Sequence, residues 1–293
     1  ESFDELKKEV FGPVLHVVRY SRNQLDSLVE QINASGYGLT LGVHTRIDET
    51  IAQVTGSAKV GNMYANRNMV GAVVGVQPFG GEGLSGTGPK AGGPMYWYSL
   101  LAGRPETALA KTLARQDAGQ VVDSQLKTLL EKPLTELQSW MAGRPELLAQ
   151  SKLYSELAQA GTQRVLPGPT GERNTWTLVP RERVLCVADN ESDLLTQLSA
   201  VMAVGSEVLW QDAPLQRELV KSLPKAVSER IHFAKPETLM NAFFDAVIYH
   251  GDSDQLRELC ELVAARDGAI VSVQGFARGE TNLLLERLYH ERS

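Results

Sequence analysis

Cysteine is nearly absent, with two residues in 293, Cys186 and Cys260. Two supply neither a disulfide framework nor a metal-ligand spacing, so a reducing compartment such as the cytoplasm is the expected setting. The five histidines, His16, His44, His232, His250 and His290, are scattered, with no HxxxH pair and no cysteine beside them. Each reads as an ordinary surface or core residue, and no metal site is expected. No apolar run approaches the roughly 20 residues of a membrane-spanning helix, and no charged-then-apolar signal segment opens the chain. Positive charge is not in excess either: Lys and Arg number 29 against 35 Asp and Glu, for a net charge of −6. Interspersed charges in that balance speak against nucleic-acid binding by this segment, because neutralising phosphates needs a basic face.

What the sequence does have is hydrophobic residues, 43% of the total, enough for a buried core and, at this length, for two units. It begins at Glu1, not Met, inside what reads as a helix, so a piece of a longer protein is expected. A short helix is expected over residues 3–10, stopped by Gly12-Pro13, and a β-branched strand over 14–20. Leu25, Leu28, Val29 and Ile32 recur at helical spacing, with Gly36 placed as a C-cap. Residues 39–44 read as a strand and 47–58 as a helix, an alternation that argues for α/β layers with parallel strands. Leu-rich, charge-studded segments at 124–130 and 134–141 read as helices, broken at Lys132-Pro133 and at Gly143-Arg144-Pro145. Alternation then resumes, with strands expected over 184–188, 207–210, 230–234, 244–249 and 269–273 and helices over 191–204, 215–223 and 253–266. The tail, 283–292, reads as a short helix docking elsewhere. The expected fold class is α/β in three parts: residues 1–103, a helical connector over 104–165, and a second, Rossmann-like unit over 166–293.

Eleven of the 26 glycines fall between Gly56 and Gly93. Gly81-Glu82-Gly83-Leu84-Ser85-Gly86 matches G-x-G-x-x-G, with Glu106 twenty residues beyond Gly86. A dinucleotide fingerprint must open a helix, however, and the following Gly86-Thr87-Gly88-Pro89-Lys90-Ala91-Gly92-Gly93-Pro94 cannot propagate one. A nucleophile elbow also fails, since Thr87 stands where the closing glycine belongs. A plain surface turn remains one reading. The other is a loop that brings backbone N–H groups close to an anionic or carbonyl-bearing substrate, because glycine leaves no Cβ in the way.

Glu9-Val10-Phe11-Gly12-Pro13, Tyr37-Gly38-Leu39, Gly61-Asn62 and Pro78-Phe79-Gly80-Gly81 with Ser85-Gly86 resemble, in order and spacing, the C-terminal part of the aldehyde dehydrogenase superfamily. Gly42-Val43-His44-Thr45-Arg46, Tyr64-Ala65-Asn66-Arg67-Asn68 and residues 71–93 look like its glutamate-semialdehyde (pyrroline-5-carboxylate) dehydrogenase branch. The continuation past Gly103 is similar to bifunctional members of that branch. Those join a flavin-dependent proline dehydrogenase to the aldehyde dehydrogenase and add a C-terminal domain, so the resemblance covers essentially the whole chain.

The resemblance implies that Glu9 bonds the ribose hydroxyls of NAD and that Phe11 packs near the nicotinamide ring. A carboxylate can accept two hydroxyl bonds, and an aromatic face holds a planar ring for hydride transfer. It implies that the amides of Gly92 and Gly93 hold the α-carboxylate of L-glutamate γ-semialdehyde, that Phe79 lines the substrate tunnel, and that Ser85 either adds a hydroxyl or caps a turn. FAD would belong only to the proline dehydrogenase part outside this chain. Partners implied are the remainder of the parent enzyme and further copies of it, while membrane contact through the flavoprotein half stays open.

One departure is serious. The family's cysteine nucleophile lies upstream of E-x-F-G-P, whereas Cys186 and Cys260 lie downstream and read as core residues, Cys186 in a strand and Cys260 in a Leu-rich helix. No catalytic residue is therefore assigned, and the chain alone is expected to be inactive. In the second unit, Asp189, Asn190, Glu191 and Asp193 replace a glycine phosphate loop and would repel a pyrophosphate. This unit is expected to help enclose the substrate cavity, with residues 282–289 sealing it. Two alternatives stay open: a non-catalytic scaffold or lid, and an aldehyde dehydrogenase acting on another substrate.

Overall fold

The helical spacing of Leu25, Val29 and Ile32 produces a helix over Leu25–Ala34. Gly36, at φ +77°, turns the chain out of it. A second helix, Asp48–Ser57, packs on the first through a small core of Val29, Val54, Ala58 and Val60. Around them run four short strands: β1 (Tyr37–Gly38), β2 (Thr40–Val43), β3 (Asn62–Ala65) and β4 (Glu82–Gly83). β2 pairs with β3 in parallel, and β1 pairs with β4 antiparallel. The computed structural model describes residues 3–6, 10–86, 88–101, 120–122, 124–159 and 161–293.

The strand expected over residues 14–20 does not form. β-branched residues favour extended backbone, but a strand also needs an edge to bond with, and none of the described strands pairs with this stretch. Leu15 and Val17 accordingly stand 86% and 64% exposed. The helix expected over 3–10 appears as a 3₁₀ turn at Phe3–Glu5, residues 7–9 lying outside the described set.

Beyond residue 119 come β5 (Gln120–Val122), helices Ser124–Trp140 and Pro145–Leu157, β6 (Thr162–Leu166) and β7 (Asn174–Pro180). Lys132-Pro133 does not break the first of these helices; Pro133 sits inside it. The proline removes one backbone bond, while fully buried Leu137 joins the same hydrophobic core as Leu194, Leu195 and Leu198 and anchors the helix there. Gly143-Arg144-Pro145 does divide the two helices, with Pro145 at the start of the second, where its missing N–H costs nothing.

β8 (Arg183–Val187), β9 (Glu207–Gln211), β10 (Ile231–Ala234), β11 (Ala246–His250) and β12 (Ser272–Phe276) form a parallel sheet in the order β10-β9-β8-β11-β12. The chain moves outward from β8 in one direction and then in the other, which is doubly wound α/β topology. The crossover helix Glu191–Val204 is buried along nearly its whole length. A 3₁₀ turn at Leu285–Leu288 leads into β13 (Tyr289–Arg292), so the tail expected as a helix ends as a strand. β13 adds to β7 in an antiparallel sheet ordered β13-β7-β6-β5. The last residue then reaches the first part of the chain: Ser293 donates its N–H to Gly61 O and accepts from Met63 N–H.

Candidate functional site

The glycine-rich segment is held by Asn62 at the start of β3. Its Nδ2 donates to Pro78 O at 2.9 Å, and its Oδ1 accepts from Gly80 N–H at 3.1 Å. At Gly61 a Cβ would overlap the Gly80 carbonyl oxygen, so this approach requires glycine. Phe79 and Ala91 exchange both backbone bonds, at 3.0 and 2.9 Å, which folds the segment back on itself. The Gly93 N–H then closes a turn onto Lys90 O at 3.0 Å.

That turn separates the two expected amides. The Gly93 N–H is engaged inside the chain and Gly93 is buried, so its assignment as a carboxylate donor is corrected. Gly92 differs: it is exposed, sits at φ +73°, and its N–H has no acceptor among the described residues. Gly92 and Phe79 line one apolar groove of about 1070 Å³, with Val74, Val76, Pro94 and Leu166 among its other walls. Leu166 ends β6, so the second half of the chain supplies part of the wall.

Ser85 does not reach this groove. Its Oγ accepts the Gly38 N–H at 3.1 Å and its own N–H bonds Glu82 O, so it ties the β1–β4 ribbon. Glu9 lies outside the described residues. Phe11 is 93% exposed. It is not among the groove's walls.

Sequence reasoning missed the groups that hold the turn from behind. Lys90 is 2% exposed, and its Nζ donates to Gly61 O, Asn62 Oδ1 and Gly80 O at 2.7, 2.7 and 2.6 Å. Its backbone N–H donates to Glu291 Oε2 at 2.8 Å, and Trp176 Nε1 donates to Glu291 Oε1 at 2.9 Å. Burial pulls the Lys90 ammonium down to about 8, against the pull of Glu291 and Glu82. Burial pushes the Glu291 carboxyl up, and the bonds from Lys90 and Trp176 offset this only in part. Lys90 in a glycine-rich run was the only local hint; nothing near Trp176 or Glu291 in sequence points to the loop.

Neither cysteine is among the groove's walls. Cys186 is buried in β8, and burial pushes its thiol far up, so it stays protonated. Cys260 is exposed, not core: Leu259 and Val263 take the buried face of helix Ser253–Ala264. Among the described residues no His, Cys, Asp and Glu group could hold a metal ion, and no helix is long and apolar enough to cross a membrane. At the carboxyl edge of the parallel sheet, where doubly wound folds take ligands, the segment after β12 bonds to the residues that follow β8. Arg278 grips Asp189 through both carboxylate oxygens, and the Gly279 N–H donates to Asp193 at 2.9 Å.

Residues 2–102 match the aldehyde dehydrogenase family model. This part of the chain is similar to an aldehyde dehydrogenase domain, and it is continued by a second α/β unit with a parallel sheet. The particular likeness is to the bifunctional protein PutA: 80% identity to that of Klebsiella aerogenes and 76% to that of Escherichia coli K12, over all 293 residues. The chain spans 22% of the length of each. It is also 48% identical, over 92 residues, to 1-pyrroline-5-carboxylate dehydrogenase 1 of Halalkalibacterium halodurans, covering 31% of this chain and 17% of that protein. Among solved structures, proline utilization A from Corynebacterium freiburgense shares the fold at TM-score 0.53 and 20% identity, over 92% of this chain and 24% of that one.

Proposed function

We propose that this chain is part of a bifunctional enzyme of proline catabolism and contributes to its NAD-dependent oxidation of L-glutamate γ-semialdehyde to glutamate. The observation that carries the reading is the Gly92 N–H, which has no acceptor among the described residues and lies on the apolar groove beside Phe79. A backbone N–H without an internal partner suits a carboxylate oxygen, and the Phe79 ring suits the substrate's methylenes. Glu9 and Phe11 would hold NAD, which accepts the hydride when bound. Each turnover consumes one aldehyde, one water and one NAD⁺ and releases the glutamate carboxylate, NADH and two protons.

The cysteine nucleophile and the general-base glutamate belong to other sequence of the full-length protein, so this chain alone turns nothing over. FAD serves the proline dehydrogenase part, the full-length protein works in the cytoplasm as a homo-oligomer, and residues 1–103, 104–165 and 166–293 are the working division of the chain. The test compares the full-length protein with residues 1–293 of this chain for NADH formation from glutamate semialdehyde. The full-length protein should be active, prefer this aldehyde to an uncharged one, and be inhibited by glutarate. Turnover by the 293-residue chain, or no preference for the carboxylated aldehyde, would overturn the proposal.

A further inference from the structure

Lys90 is buried with three neutral acceptors on its Nζ: Gly61 O, Asn62 Oδ1 and Gly80 O. An ammonium has three N–H donors and no acceptor, so all three bonds are made only by the charged form. Asn62 Oδ1 cannot be exchanged for its amide nitrogen, because it also accepts the Gly80 N–H while Nδ2 donates to Pro78 O. The same residue is held at its backbone, with its N–H on Glu291 and its C=O accepting the Gly93 N–H. Ala91, next in the chain, is locked to Phe79 by two bonds. Gly92 follows, its N–H without an acceptor among the described residues.

We infer that Lys90 is a positioning residue for the carboxylate-binding turn: fixed at side chain and backbone, it sets where the Gly92 N–H stands on the groove. This rests on the reading of Gly92 given above. A residue that served stability alone could be apolar here, since burying an ammonium opposes folding unless its bonds compensate. A lysine exchanges that cost for a fixed distance between β3, the Gly80 carbonyl and the turn. Arginine would not substitute, because a planar fork does not present three donors around one nitrogen. The charged groups acting on Lys90 are Glu291, Glu82 and Arg292, from β13 and β4.

The test is made in the full-length enzyme with two aldehydes, glutamate semialdehyde and an uncharged aldehyde of similar length. Lys90→Met should raise KM for glutamate semialdehyde tenfold or more, with kcat within about threefold and KM for the uncharged aldehyde unchanged. Lys90→Gln, which keeps two donors, should give a smaller rise of the same kind. Equal losses on both aldehydes, or an unchanged KM in a folded variant, would overturn the inference. The wild-type enzyme supplies the same test without substitution. Glutarate stays a dianion above neutrality, yet its inhibition should weaken severalfold as pH rises through about 8, where Lys90 loses its third donor; a flat profile overturns the inference. If wild type does not discriminate between the two aldehydes, it is the reading of Gly92 that fails. If wild type discriminates and Lys90→Met still does, only the role of Lys90 fails.

Discussion

Arg292 donates to both carboxylate oxygens of Glu82, at 2.5 and 3.0 Å, from 210 positions further along the chain. Both side chains are largely buried. With Ser293 bonded to Gly61 and Met63, and Glu291 to Lys90, every residue of the last three grips the first hundred.

Glu82→Gln should therefore destabilise the protein by about 3–5 kcal/mol at neutral pH, the usual cost of stranding one member of a buried ion pair. Burial is the largest influence and opposes ionisation of Glu82, but the bond from Arg292 and the charges of Arg292, His290 and Arg181 together outweigh it and hold the carboxyl below its ordinary value. The contribution is thus complete above the ordinary carboxylate pKa and is lost as pH falls through the lower folded value. Thermal unfolding of wild type and Glu82→Gln at stepped pH should show the gap closing below about pH 4.5. A gap that stays constant into acid would contradict this.

Gly92→Ala isolates the turn's conformation. An added Cβ meets no atom within 4 Å, so the cost is backbone strain at φ +73°, about 1 kcal/mol. Steady-state kinetics of the full-length enzyme should show a severalfold higher KM for glutamate semialdehyde, with kcat and the melting temperature little changed. An unaltered KM would count against Gly92 as the carboxylate donor.

Replacing both cysteines tests where the nucleophile lies. In the full-length enzyme, Cys186→Ala with Cys260→Ser should keep kcat within about twofold, because one thiol is buried and unreactive and the other sits on an exposed helix face. A thousandfold loss would place the nucleophile in this chain.

Leu137→Ala probes the shared core. Leu137 is fully buried among Met141, Leu194 and Leu198. The cavity should cost about 2–5 kcal/mol in chemical unfolding. KM for the aldehyde should not move, since Leu137 is not a wall of the groove. A selective rise in KM without lost stability would be the contrary result.

Much of the fold was legible because it is written in short periods. The strand–helix–strand alternation at β8, Glu191–Val204 and β9 follows from apolar runs of strand and helix length. Residues 14–20 and Pro133 show the limit of that reading. A strand needs a partner edge and a proline needs neighbours that hold the helix, and both are supplied, or withheld, by distant sequence. Cys260 was misplaced for a related reason: a Leu-rich helix has an exposed face, and one residue's shift in phase moves a side chain from one face to the other.

By itself the sequence determined the α/β class, the order of most elements, the likeness of the first hundred residues to aldehyde dehydrogenases and the concentration of bare backbone before Gly93, because these depend on residue type and local spacing. Only the tertiary structure decided that the Gly92 N–H finds no acceptor among the described residues while Gly93 spends its own on Lys90, and that Lys90, Trp176 and Glu291 stand behind the turn. Hydrogen bonds are directional and reach about 3 Å. Which groups meet at that range is set by the path of the whole chain, and nothing in the local pattern around any one of them records it.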